Sequence, residues 1–261
     1  EFEFYPLTNS ANGNLARIKQ ELLDHVDIDS AQIHCPEATM PKEAILDFCR
    51  QYEEQIQAVG GIDCMLLGIG SSSNVMFNTA GASLNSRTRM VLLEGAARKE
   101  AARTFASEEA LPAGVITMGV STMMNARNVI LMAWGEDKAN AVKQVVEHKA
   151  DSDFPASFLQ NHKDITCYVD ETAASLLTRV VSPWLVGPCE WTRKFIRKAV
   201  VWLCQEVHKP ILKLTQKDYL EHSLGELLDK FGPYDKINIE VFNDLQHTIT
   251  GWPGGKPNAD D

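Results

Sequence analysis

Apolar positions along the chain fall into two periods. Asn14 to Val26 carries Leu15, Ile18, Leu22, Leu23 and Val26 at helical spacing, with Asn12 or Asn14 as a candidate cap. Pro41 opens a second stripe through Ile45, Phe48, Cys49, Tyr52, Ile56 and Val59, which Gly60-Gly61 ends. Cys64 to Leu67 is continuously apolar, the pattern of a strand covered on both faces. Further strands are predicted at Arg89–Leu93, Val115–Met118, Val129–Ala133 and Ile165–Val169. Between them fall helices at Ala96–Phe105, Ser121–Ala126, Lys138–His148 and Thr172–Val180. Such alternation implies right-handed crossovers. The fold class expected is α/β, a doubly wound, mostly parallel sheet with helices on both faces. Ligands of such sheets sit beyond the carboxyl ends of the strands.

The texture changes around Ser182-Pro183-Trp184. Trp191–Glu206 and Lys217–Phe231 read as helices of an α-rich C-terminal extension, and 251–261 (GWPGGKPNADD) reads as a linker. The domain expectation is therefore 1–181, 182–250 and a tail at 251–261. The chain starts at Glu1 without Met, and Glu1 to Leu7 reads as the end of a strand. A fragment or processed product is the expectation.

Composition narrows the partners. A formal charge of −10 disfavours nucleic acid and anionic lipid as partners. No apolar run is long enough to span a bilayer. Six cysteines without CxxC or zinc-ligand spacing suggest buried thiols in a reducing cytosol, and no metal. The seven histidines lie in no motif, and surface or capping roles are expected of them. Met118, Met123, Met124 and Met132 read as core filler, and Trp184, Trp191, Trp202 and Trp252 as packing of the extension.

Candidate chemistry concentrates after the strand at Leu67. Gly68-Ile69-Gly70-Ser71-Ser72-Ser73-Asn74 forms a glycine turn and hydroxyl-rich loop suited to presenting backbone N–H groups to an anion. Two sharper readings of it are weak. Ser73 takes the third glycine position of a dinucleotide motif, and no nucleophile elbow surrounds the serines. No cofactor is implied.

Three blocks in order carry a resemblance. They are Gly68 through Phe77-Asn78 with Ser83-Leu84-Asn85-Ser86-Arg87-Thr88-Arg89; Ala102-Arg103-Thr104-Phe105; and Thr117 to Thr122 with Ala133 to Ala139. Over about residues 1–180 the chain resembles the glucosamine-6-phosphate deaminase/isomerase family, which shares its fold with 6-phosphogluconolactonase. The region beyond Ser182 looks like the extension of longer, Bacteroidetes-type members. The resemblance implies amino-sugar phosphate metabolism, an aldose–ketose isomerisation with release of ammonia, and a phosphorylated amino sugar or related sugar phosphate as ligand. It also implies that Arg103 and Lys138 contact the phosphate. Gly68, Gly70, Ser71, Ser72, Ser73 and Asn74 would line the rest of the site. Ser83 and Arg89 match positions of an allosteric sugar-phosphate site, but Val91 replaces its lysine.

The family's acid/base set is not matched. The family loop reads Gly-x-Gly-x-Asp-Gly-His-Ile-x-Phe-Asn-Glu-Pro. Here Ser72 stands for its Asp, Asn74 for its His and Thr79 for its Glu, while Phe2 takes the position of a further catalytic Asp. Asn74 has no proton that titrates near neutrality. Glu1 or Glu3 is the displaced carboxylate to consider. Impaired or absent deaminase activity is expected. Alternatives are a non-catalytic sensor or assembly partner, or an enzyme acting on a different phosphorylated sugar. A homo-oligomer is a further expectation, since relatives often assemble and the apolar extension offers surface.

Overall fold

A computed structural model describes residues 2–7, 13–71, 73–103, 105, 107 and 110–250. Glu1, Asn12, Ser72, Thr104 and the 251–261 tail, named above, lie outside them. The chain divides into two compact units, Glu1–Leu177 and Thr178–Asp261. No helix among the described residues is long and apolar enough to cross a membrane.

Unit 1 is α/β. Its strands are β1 (Phe2–Tyr5), β2 (Cys64–Gly68), β3 (Arg89–Leu92), β4 (Gly114–Thr117), β5 (Asn128–Ala133) and β6 (Ile165–Val169). Its helices are α1 (Asn14–Glu21), α2 (Ile45–Ala58), α3 (Gly95–Ala102), α4 (Val120–Met124) and α5 (Ala139–Glu147). β2, β5 and β6 form a parallel sheet in the order β2-β5-β6, with Gly68 opposite Met132 and Met132 opposite Tyr168. β1, β4 and β3 form a second, antiparallel set in the order β1-β4-β3. The apolar runs alone did not reveal that antiparallel set.

One face of the parallel sheet holds Met65, Leu67, Val129 and Leu131, packed with Tyr52 of α2, Met123 of α4 and Val142 and Val145 of α5. Burial alternates along β2 and β5, and Leu66 is 63% exposed with Cys64 also exposed. β6, last in the order β2-β5-β6, is exposed from Thr166 to Val169, Cys167 and Tyr168 included. Continuous covering of Cys64–Leu67 and burial of all the thiols were expected. On β2 the pleat instead sends alternate residues to an accessible face.

Unit 2 is helical, with a short α6 (Thr178–Val181), then α7 (Arg193–Val207), α8 (Gln216–Glu221), α9 (Gly225–Phe231) and α10 (Tyr234–Thr250). Its core gathers Trp184, Leu203, Leu214, Tyr219, Leu224, Leu227, Ile237 and Val241. Two predicted helices differ. Lys217–Phe231 is broken into α8 and α9, with Ser223 between them in the left-handed region at φ 62°. Thr172–Val180 is mostly turns up to α6, although the Asp170 carboxylate accepts the Ala173 N–H (2.7 Å) as a helix cap would and also the Thr172 hydroxyl.

Candidate active site

The loop leaving β2 is folded on itself. Ile69 bridges Val75, and Val75 bridges Asn78. The Gly70 N–H donates to the Asn74 carbonyl (2.9 Å) and the Ser73 N–H to the Gly70 carbonyl (3.0 Å). Ser73, Met76 and Phe77 all have positive φ (58°, 47° and 56°). Side chains other than glycine's pay roughly 1 kcal/mol or more for that conformation, so surrounding bonds must impose it.

Asn78 is the principal cross-link. Fully buried, it donates through Nδ2 to the carbonyls of Val75 (3.1 Å), Met76 (3.3 Å) and Met118 (2.9 Å). Its Oδ1 accepts from Arg89 Nη2 at 2.9 Å. The Thr117 hydroxyl adds a bond to the Met76 carbonyl at 2.7 Å. Ser73, also fully buried, donates its hydroxyl to Gln144 Oε1 of α5 at 2.5 Å. The anion cradle expected of this loop is thereby narrowed. The N–H groups of Gly70 and Ser73 and the Ser73 hydroxyl are occupied within the protein. Ser71 is exposed.

Asn74 differs from its neighbours. It is 5% exposed, and its Oδ1 has no hydrogen-bond partner. An acceptor left unpaired in a buried position is costly and uncommon.

The carboxylates around this end of unit 1 have structural work. Glu3 is 2% exposed and accepts the N–H groups of Phe4 (2.8 Å), Asn14 (2.8 Å) and Leu15 (2.9 Å). It anchors the start of α1, where orphan donors and the helix dipole favour an anion. Glu3 therefore caps α1. Buried Glu53 accepts from the Thr88 N–H and hydroxyl and from the Thr122 hydroxyl. Asp170 holds the Gly135 N–H at 3.2 Å, joining the ends of β5 and β6. The Ala173 N–H, foremost among its donors, keeps the Asp170 carboxyl below the usual carboxylate range.

Phe2 sits in apolar surroundings. Its ring meets Phe77 edge-on at 4.8 Å, Phe77 meets Phe4 at 5.8 Å, and Phe4 meets Phe105 at 4.9 Å. Thr79 offers its carbonyl to Ala82.

The predicted cations are spread around this framework. Lys138 ends the short turn Glu136–Lys138 after β5, 3.4 Å from the Asp137 carboxylate. Because β2 and β5 are parallel neighbours, that turn and the Gly68–Gly70 turn leave the same edge of the sheet. Arg103 is exposed one residue beyond α3, and two residues before Phe105 of the ring cluster. Arg89 is partly buried, and desolvation lowers its pKa from the ordinary guanidinium value. It serves the loop through Asn78, while Ser83 accepts from the Asn85 N–H instead, so no bond joins the two presumed allosteric positions. Gln144 and Glu53 carried no signal in the sequence beyond their helical stripes. Gly119 in the third block does have a visible reason: a Cβ there would lie 2.2 Å from the Ser86 carbonyl oxygen of the first block.

The strained, cross-linked loop lies at the carboxyl end of the parallel sheet, where ligands of α/β folds commonly sit. The family model for glucosamine-6-phosphate isomerases/6-phosphogluconolactonase matches residues 3–168, and the chain belongs to that family. A Bacteroides thetaiotaomicron protein described as glucosamine-6-phosphate deaminase-like is 53% identical over 261 residues, all of this chain and 39% of the relative. The Shewanella woodyi glucosamine-6-phosphate deaminase is 44% identical over 163 residues, 62% of this chain and 60% of the relative. The chain thus spans less than two thirds of either relative's length. Among solved structures, a monomeric glucosamine-6-phosphate deaminase superposes with a TM-score of 0.64 at 32% identity, covering 67% of this chain and 72% of that one. A 6-phosphogluconolactonase from Trypanosoma cruzi, at 20% identity and a TM-score of 0.52 over 68% of this chain and 70% of that one, shares the fold.

Proposed function

We propose that unit 1 binds a phosphorylated amino sugar, or a closely related sugar phosphate, and does not deaminate it. Deamination of such a sugar opens the ring, moves a proton between carbons and expels ammonia. Each step needs a group that cycles between protonated and deprotonated forms. Phe2, Asn74 and Thr79, with Ser72 beside them in sequence, have no such cycle near neutral pH. Glu3, Glu53 and Asp170 are engaged in holding backbone and hydroxyl donors.

Binding chemistry remains. Arg103 and Lys138 supply cations for a phosphate, the arginine through its fork and the lysine as a point charge. The Asn74 carboxamide oxygen accepts from a sugar hydroxyl. The observation that carries the reading is this Asn74: buried, with Oδ1 unpaired, at the position where the family carries histidine. The oxygen is an acceptor in search of a donor, and the residue is not a proton carrier. Calorimetric titration with glucosamine 6-phosphate tests it. The expected result is a saturable heat that Arg103→Ala and Asn74→Ala each weaken. Absence of any heat, or heats untouched by both substitutions, would refute it.

A further inference from the structure

Ser73 occupies a backbone position suited to glycine. Its φ of 58° lies in the left-handed region, which side chains other than glycine's enter only under strain. By the resemblance set out above, the family loop carries glycine at this place. A serine there needs something to hold it. Backbone bonds supply part of the hold. The Ser73 N–H donates to the Gly70 carbonyl at 3.0 Å, and the Ser73 carbonyl accepts from the Ala156 N–H at 3.2 Å. Glycine would make both of these equally well. The bond that glycine cannot make runs from the Ser73 hydroxyl to Gln144 Oε1 at 2.5 Å. Ser73 is 0% exposed, so bulk water offers its hydroxyl no substitute.

That bond reaches an element with a part in the site. Gln144 is half-buried in α5, and Lys138 is the residue at which α5 begins. The loop after β2 is thereby tied to the helix that follows a cation proposed for the phosphate. Ser73 also immediately precedes Asn74, so its dihedral angles set the course of the chain into Asn74. A site keeps its geometry when hydrogen bonds from supporting residues lock the groups that line it.

We propose that Gln144 is a positioning residue for the sugar-phosphate site of unit 1. It holds Ser73 in the turn that glycine would adopt unaided, and so sets the loop against the Lys138 end of α5. Its ligand is that of the sugar-phosphate reading, on which this role rests.

Two full-chain variants test it, by calorimetric titration with glucosamine 6-phosphate and by amide hydrogen exchange without ligand. Gln144→Met keeps the length of the side chain and removes the acceptor. It should weaken binding about fivefold and speed exchange of the Gly70 and Ser73 amides about tenfold. Adding Ser73→Gly to Gln144→Met should bring both readouts back to within about twofold of the parent chain, because glycine needs no anchor at this φ. That recovery separates positioning of the loop from support of α5, since deleting the serine hydroxyl restores no packing to the helix. Gln144→Met that leaves affinity and exchange at the parent's values would overturn the inference, and so would a double variant no better than Gln144→Met. Binding that ignores Gln144 sinks this role and leaves the sugar-phosphate reading standing. No saturable heat from the parent chain sinks both.

Discussion

Unit 1 and unit 2 both bury polar side chains, and they use them differently. In unit 2 the network around Tyr219 closes on itself, although the Trp184 and Trp191 indole N–H groups have no acceptor among the described residues. The Tyr219 hydroxyl donates to Asn238 Oδ1 (2.7 Å), and Asn238 Nδ2 donates to the Leu214 carbonyl (3.0 Å). Asp218 completes a capping box with Thr215 and accepts from Lys209 Nζ at 2.7 Å. These bonds fix helices in one arrangement. In unit 1 the buried polar groups hold backbone in conformations it would otherwise leave. Asn78 clamps the left-handed Met76-Phe77 segment, Glu3 secures α1, and Asn74 keeps a buried, unpaired acceptor. A closed network specifies packing, while strain beside an unpaired group is what the proposed ligand reading of unit 1 rests on.

The largest expected effect falls on the Glu3 cap. Glu3→Ala leaves three backbone donors without a partner in a buried setting and should cost about 3 kcal/mol in urea unfolding. A cost below about 1 kcal/mol would mean that water replaces the carboxylate there. Next comes the ligand side of unit 1. Arg103→Ala should weaken glucosamine 6-phosphate binding about tenfold, about 1.4 kcal/mol, with the melting temperature unchanged. An unchanged affinity would detach Arg103 from the site.

A smaller effect tests the closed network of unit 2 through pH. The Lys209 ammonium, with the Thr215 donors behind it, lowers the Asp218 carboxyl to about 2. An unfolded aspartate titrates near ~3.9, so this bond stabilises the fold above that pH and is lost as pH falls through about 2. Asp218→Asn should lower stability at pH 7 by about 1 kcal/mol, after allowance for solvent screening of the partly exposed lysine, and should flatten the acid limb of a melting-temperature profile. A profile identical to that of the parent chain would show the pair to be inert. The smallest effect is a surface counterpart to Glu3. Thr192 caps α7 by accepting the Phe195 N–H at 3.3 Å, and Thr192→Ala should cost only about 0.5–1 kcal/mol in thermal unfolding. A cost matching that of Glu3→Ala would erase the contrast between buried and exposed caps.

Much of unit 1 could be read from apolar runs, because short strands bounded by glycine and polar turns announce themselves. β2, β5 and β6 fall where Cys64–Leu67, Val129–Ala133 and Ile165–Val169 were expected. What escaped depends on partners remote in sequence. Glu3 meets Asn14 and Leu15 only once β1 is paired, and Ser73 meets Gln144 across 71 positions. The helix α10 was also missed. Its buried Ile237 and Val241 are correctly spaced, but β-branched and asparagine neighbours dilute the stripe and weaken intrinsic helix preference. The break at Ser223 is a backbone event that no spacing of leucines reports. Of the candidate site, residue identities were legible and orientations were not. That Asn74 stands where the family carries histidine is an expectation from the resemblance, whereas its unpaired oxygen, and the internal use of the Gly70 and Ser73 donors, emerge only from geometry.

The central claim is that unit 1 keeps a sugar-phosphate cradle without proton-transfer groups. It is tested most directly by measuring heat and ammonia in the same titration with glucosamine 6-phosphate. The account predicts a saturable heat with ammonia indistinguishable from a protein-free blank. Ammonia released over repeated turnovers would contradict it.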